Sequence, residues 1–235
     1  MNRKASLSLR IGSFNIKNGS GVKHKMSILA EDIKRHSLDV VGLQEVDIMS
    51  DRSGKIDTLK ELADSAGYPY YRFTHTINIK GGMYGTAIMS RYPIVCADTV
   101  KLPTLEKHES RALGHAVIDF DGARVDFLNT HLSYEKNGLR AEQFKLINEY
   151  VKGLELFILT GDFNTSDPDE YSMIENVIRV NGGKYATFPS SSEAIDEIIT
   201  CSRLACVASG SDHCEEHSDH DLLWAELQYT DGIKC

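Results

Sequence analysis

The sequence predicts an α/β fold in which two β-sheets pack against each other and helices lie outside them. Three observations lead there. Short apolar runs, many alternating with polar residues as half-buried strands do, recur along most of the chain. Stripes with the helical period fall between them. Strands come before, between and after the helices, and no linker, repeat or low-complexity stretch divides them, so residues 1–235 read as a single domain.

The composition agrees with a packed globular chain. Of 235 residues, 41% are hydrophobic and 26% charged, with 18 Gly and 5 Pro, which excludes collagen-like, low-complexity and disordered classes. Lys and Arg total 26 against 34 Asp and Glu, a formal charge of -8, which argues against a broad basic surface that tracks a nucleic-acid backbone. A phosphate substrate stays open, because a bound divalent cation reverses the local field around carboxylates. Arg3 and Lys4 are followed by alternation through Ser6, Leu7, Ser8 and Leu9, with no apolar core of a signal peptide and no stretch long enough to span a membrane. Cys96, Cys201, Cys206, Cys214 and Cys235 lack a regular spacing and read as reduced thiols, which places the chain in the cytoplasm.

The elements follow in order. Leu7 to Phe14 alternates and ends in polar Asn15; a helix then carries Met26, Leu29 and Ile33 on one face. Asp39 to Leu43 is a buried strand ending in Gln44 and Glu45. Thr58 and Glu61 fit a capping box ahead of Leu59, Leu62, Ala63 and Ala66, and Gly67 stops that helix. Strands are expected over 70–74, 85–89, 94–99 and 112–120, with Asp121-Gly122 as a hairpin turn into 125–128. Leu139 to Leu154 aligns Phe144, Ile147, Val151 and Leu154 as the longest helix. A strand over 156–159, a helix capped by Asp167 with Pro168 at its first position, and strands over 194–200, 204–209 and 222–227 complete the chain.

Interior strands repeatedly finish in carboxylate, amide or imidazole: Asn15, Glu45, His131, Asp162 with Asn164, Asp196, and Asp219 with His220. Strand ends are where a rigid scaffold presents chemistry. These residue types form a set suited to metal-assisted phosphoryl transfer, with oxygen ligands for Mg²⁺, imidazoles for protons and donors for a charged oxygen.

Five ordered motifs carry a resemblance: Ser13-Phe14-Asn15-Ile16, Leu43-Gln44-Glu45-Val46, Asn129-Thr130-His131-Leu132, Gly161-Asp162-Phe163-Asn164 and Ser218-Asp219-His220. Together they resemble the endonuclease/exonuclease/phosphatase superfamily, in a bacterial subgroup of metal-dependent hydrolases. The resemblance implies a four-layer α/β sandwich of two mixed sheets packed face to face with helices outside, and Mg²⁺ or Mn²⁺ as cofactor. It implies Glu45 as the main metal ligand, Asn15 on the metal or a phosphate oxygen, and Asp219 as a second metal-side carboxylate. It further implies Asp162 orienting or deprotonating the attacking water, Asn164 on the scissile phosphate, His220 against the phosphate and held by Asp196, and His131 as a second imidazole. Which group is the base stays open. Glu197 departs from the pattern, because family members often carry His or Tyr after the aspartate equivalent to Asp196.

Asp162 and Asn164 flank Phe163, so on an extended stretch their side chains share a side; Gly-Asp-Phe-Asn taken alone reads as an Asx-turn. Arg52, Tyr84 and Arg111 are candidate substrate contacts, since Arg suits bidentate phosphate binding. Cys206, His213, Cys214 and His217 fit no standard zinc spacing and read as a polar loop. Lys23, Lys25, Lys136 and Arg140 could form a basic rim for a short nucleic acid. The expected activity is hydrolysis of a phosphodiester or phosphomonoester by activated water, with a small or lipid phosphoester preferred over DNA or RNA and no protein partner implied. A catalytically silent phosphate-binding module is the rival of another class.

Overall fold

A computed structural model describes residues 7–135, 137–214 and 216–230, so Arg3, Lys4, Ser6, Lys136 and Cys235 lie outside the described residues. Two six-stranded sheets form the centre. The first holds, in spatial order, β11 (Leu204–Asp212), β12 (Leu222–Tyr229), β1 (Ser8–Asn15), β2 (Val40–Ile48), β4 (Gly82–Ser90) and β3 (Tyr70–Ile79). The second holds β5 (Ile94–Lys101), β6 (Ala112–Phe120), β7 (Ala123–His131), β8 (Phe157–Asp162), β10 (Asp196–Cys201) and β9 (Val177–Arg179).

Both sheets are mixed, because β1–β2 and β7–β8 pair in parallel while their other neighbours run antiparallel. A parallel pair needs a crossover, and helices supply it. Helix α1 (Met26–Lys34) joins β1 to β2, and with α2 (Thr58–Ala66) it buries Met26, Leu29, Ile33, Leu59 and Leu62 against Phe14, Val41 and Leu43. Helix α3 (Asn137–Val151) joins β7 to β8, and Phe144, Ile147 and Val151 pack with Tyr171 of α4 (Pro168–Tyr171) on the second sheet. The four layers expected from the motifs are therefore present.

Between the sheets, Ile11, Val40, Ile88, Phe127 and Ile158 form the apolar centre. One polar network crosses it: Gln44 Nε2 donates to Asn129 Oδ1 at 2.7 Å, Thr160 Oγ1 donates to the same oxygen at 3.0 Å, and Asn129 Nδ2 donates to the carbonyls of Leu43 and Ala87 at 2.8 and 2.9 Å. A buried amide so satisfied ties the sheets together at one height. Gly42 faces the network, and a Cβ there would stand 2.1 Å from Thr160 Oγ1, so this close approach requires glycine.

Local expectations hold in part. Asp121 and Gly122 stand at φ 53 and 92, the left-handed pair of a tight hairpin between β6 and β7. Gly67 ends α2 at φ 78. Asp167 caps α4, although that helix is only four residues long. The capping box is displaced: Asp57 is the N-cap of α2, accepting from Lys60 N, while the Thr58 hydroxyl donates to Asp47 O. Leu154 lies beyond the end of α3. The strand expected to stop at Glu45 runs on to Ile48. Neither β9 nor the short 3-10 turn Lys17–Gly19 was foreseen from periodicity, because each is three residues long.

Candidate active site

The polar residues continue the inward-facing rows of the strands beyond the central network. Side chains two apart on a strand share a face. His131 therefore follows Asn129, Asp162 follows Thr160, and Asn15 follows Ser13, each toward one open end of the sandwich. His131 and Asp162 are register partners on β7 and β8, and Asp162 and Asp196 are partners on β8 and β10.

Glu45 reaches the same end by another route. Gln44 faces inward, so strict alternation would turn Glu45 outward with Leu43. The register of β2 against β4 shifts between Leu43 and Val46, and Glu45 sits in that bulge at φ 58. A bulge re-aims a side chain at the cost of local strain. Glu45 Oε1 thereby accepts from Asn15 Nδ2 at 3.2 Å.

Asp162 stands at the centre of the cluster. Its Oδ2 accepts from Asn15 Nδ2 at 3.0 Å and lies 3.4 Å from His131 Nε2 and 3.6 Å from His220 Nε2. Its Oδ1 accepts from Asn164 N at 2.9 Å, so the Asx-turn read from Gly-Asp-Phe-Asn exists inside the site. Asn164 stands at φ 52 and gives its Nδ2 to Leu132 O, which corrects the expectation of a fully extended stretch; both residues nevertheless line the cavity. His220 Nδ1 meets Asp196 Oδ2 at 2.8 Å, and the ring of Phe188 packs 4.8 Å from the imidazole. Asp219, one residue earlier, pairs with Lys17 Nζ at 2.9 Å.

The electrostatics separate the two imidazoles. Burial lowers both, but the carboxylates of Asp196, Asp162 and Asp219 outweigh it at His220 and hold that ring above its ordinary value. His131 is pushed well below its ordinary value by burial, with the Arg111 and His220 charges adding to it. These surroundings favour the charged form of His220 and the neutral form of His131. Burial raises the Asp162 carboxyl toward neutrality, Asp196 adding to it, against the lowering effects of His220, Asn15 and Asn164. A carboxylate so poised can accept a proton near neutral pH.

These groups open on a cavity of about 460 Å³. Two further walls were only partly legible in the sequence. Arg52 is bidentate to buried Asp47, at 2.8 and 2.7 Å, and its guanidinium lies 5.3 Å from the Tyr84 ring centroid. Arg111 is buried and pairs with Glu109 at 2.8 Å. Burial raises the Tyr84 phenol and the Glu109 carboxyl. Ile77, Ile79, Tyr134, Phe188 and Ile195 also line the cavity and escaped sequence reasoning, since isolated apolar residues in strands and loops carry no motif. Glu109, two residues before Arg111, and Glu193 are the charged lining residues that the motifs did not include.

Other expectations resolve away from the cavity. Glu197 points into a separate pocket of donors, paired with Arg179 at 3.0 Å and accepting from Asn181 N and Gly182 N. Cys206 lies in β11, His213 meets Asp221 at 3.0 Å and His217 meets Asp32 at 2.7 Å, so the zinc reading gains no cluster among the described residues. Lys23 and Lys25 are exposed, whereas Arg140 is buried and paired with Glu170 at 3.0 Å, which removes it from any basic rim.

Glu45 and Asp219 bring hard carboxylate oxygens to the cavity, a donor set that fits a divalent cation, beside the cluster of Asp162, Asp196 and His220, whose side-chain donor atoms lie within 4.8 Å of one another. Buried Asp196 Oδ1 and His131 Nδ1 have no partner among the described residues.

A profile of the Endonuclease/Exonuclease/phosphatase family matches residues 12–220. Among solved structures, an endonuclease/exonuclease/phosphatase from Beutenbergia cavernae is similar at 21% identity and a TM-score of 0.81, over 97% of this chain and 73% of that one. A humanized D. rerio TDP2 is similar at 18% identity and a TM-score of 0.76, over 94% and 99% of the two chains. A mannosyl-6-phosphatase from Bacteroides thetaiotaomicron is similar at 20% identity and a TM-score of 0.72, over 94% and 100%. A search of curated proteins returns no match.

Proposed function

The chain belongs to the endonuclease/exonuclease/phosphatase family, and from that premise we propose that it is a Mg²⁺- or Mn²⁺-dependent phosphoesterase that hydrolyses a phosphomonoester or phosphodiester with activated water. The observation that carries the reading is the buried Asp162–His220–Asp196 cluster, of which Asp162 and His220 line the cavity beside Glu45.

Glu45 and Asp219 are the proposed metal-side carboxylates. The cation, when bound, supplies Lewis-acid polarisation of the phosphoryl oxygen. Asn15 directs its amide nitrogen at Glu45 and Asp162 while its Oδ1 accepts from Lys17 N, so of its two expected roles the contact to a phosphate oxygen suits it better than metal ligation. Asp162 orients the attacking water and takes its proton. His220, kept cationic by Asp196, donates to a non-bridging oxygen as charge develops there. His131, neutral, and Asn164 complete the contacts to the phosphoryl group. Arg111, through its unpaired Nε, is the proposed long-range contact, and Arg52 holds Tyr84 in place beside it.

The free thiols Cys96, Cys201, Cys206 and Cys214 support a reducing, cytoplasmic setting. Among the described residues no helix is long and apolar enough to cross a membrane.

The test is hydrolysis of bis(p-nitrophenyl) phosphate against p-nitrophenyl phosphate with Mg²⁺, Mn²⁺ or chelator, for wild type and Asp162→Asn. Metal-dependent release that falls by about 10²-fold or more in the variant is expected, and the diester-to-monoester ratio assigns the ester class. Equal release from both proteins would sink the assignment.

A further inference from the structure

The cavity is larger than one phosphoryl group needs, and the walls beyond the catalytic cluster describe what else enters. Their charges are already matched. Arg52 gives Nε and Nη2 to Asp47, and Arg111 Nη1 is ion-paired with Glu109 Oε1. Arg111 Nε is unpaired, and Arg111 lines the same cavity as His131 and Asp162, so its one open donor falls to the scissile phosphate. Against these, Glu109 and Glu193 line the same walls. A second phosphate would meet carboxylates with no uncommitted cation among the described lining residues, a costly burial of unpaired charge.

The remaining wall is apolar by construction. On β3, Thr74 faces the second sheet, where its hydroxyl lies 2.2 Å from the position of a Cβ on Gly114. Strict alternation would then bring Thr76, Asn78 and Lys80 to that face. The register against β4 shifts between His75 and Ile77, so Ile77 pairs with Tyr84, and Ile77 and Ile79 turn to the cavity beside Tyr84 instead. Tyr134, 66% exposed, stands at the rim of the same cavity. Large side chains left half-open in a cleft signify a ligand surface.

Resting on the phosphoesterase reading, we propose that the substrate carries a single phosphoryl group, that its uncharged apolar substituent lies along Ile77, Ile79 and Tyr134, and that these side chains set specificity. Polyphosphorylated small molecules and nucleic-acid strands are disfavoured by the same walls.

The test uses n-alkyl phosphates from methyl to octyl, each as monoester and as methyl diester, because leaving-group reactivity stays nearly constant while apolar length grows. Calorimetry with the matching alkylphosphonates, in Mn²⁺ and in chelator, reads binding without turnover. Both kcat/KM and phosphonate affinity should rise with chain length by up to about fourfold per methylene seated. The slope should flatten in Ile77→Asn/Ile79→Asn and return in Ile77→Leu/Ile79→Leu. Turnover that is independent of chain length, a slope unchanged by the Asn pair, or a preference for bisphosphates over the octyl ester would overturn the proposal and leave the phosphoesterase reading intact. No turnover of any ester, with phosphonate affinity still rising along the series, would do the reverse.

Discussion

Glu45 occupies a backbone position that its own side chain disfavours, and the consequence is measurable. At φ 58 a residue with a Cβ sits in the left-handed region, which costs about 1–2 kcal/mol relative to the right-handed side. Glycine escapes that cost, although within an ordinary strand it is worse than alanine by about 0.5–1 kcal/mol. Glu45→Ala and Glu45→Gly lose the same carboxylate and the same bond from Asn15, so the difference between them isolates the backbone. Glu45→Gly should therefore be the more stable of the two by about 1 kcal/mol, or about 2–4 °C in Tm for a chain of this size. Thermal unfolding of the metal-free proteins, followed by circular dichroism, measures it. Both variants should also lose metal-dependent turnover, since the bulge exists to aim that carboxylate. An alanine variant as stable as the glycine variant, or more stable, would refute the argument that the bulge stores strain at the site.

Four further outcomes are expected. Asp196→Asn removes the foremost carboxylate that offsets burial at His220, so an NMR titration of the metal-free protein should find that imidazole lowered by about 1–3 pH units, with kcat down by about 10²–10⁴-fold. Gly42→Ala drives a Cβ into Thr160 and Asn129 where the sheets meet, and should cost at least about 1–3 kcal/mol in denaturant titrations. Tyr68 donates to Leu38 O, and burial, partly offset by Arg91, pushes its phenol up from 10.0 to about 12. A raised acid contributes stability that is complete below the unfolded value and lost as pH rises through the folded one, so stability should fall by about 1.4 kcal/mol per unit between those values, and this component should be absent in Tyr68→Phe. Burial likewise pushes the Cys214 thiol up to about 12, so iodoacetamide at pH 8 should modify exposed Cys96 well before Cys214, as peptide mass mapping would show.

Most of the framework was legible because it rests on local rules. The hairpin at Asp121-Gly122, the stop at Gly67 and the cap at Asp167 each depend on the φ preference or side-chain reach of one or two residues. Misplaced details fail for an equally physical reason. Thr58 and Asp57 are adjacent capping residues, and only the demand of the Asp47 carbonyl for a donor decides which caps the helix. Arg140 reads as a surface cation until Glu170, thirty positions away, is found beside it.

The motif residues, their order and the placing of Asn15, His131 and Asp162 at strand ends are determined by the sequence alone, because alternation and apolar runs are properties of neighbouring residues, whereas Glu45 falls inside β2, Asp196 opens β10, and Asp219 and His220 precede β12. The meeting of those ends, the opposite charge states of His131 and His220, and the inward turn of Glu45 and Ile77 were decided by the tertiary structure. All but the turn of Ile77, which pairs with nearby Tyr84, depend on partners far along the chain: a register shift against β4 redirects a side chain by one face, and burial beside a carboxylate or a guanidinium sets which imidazole keeps its proton.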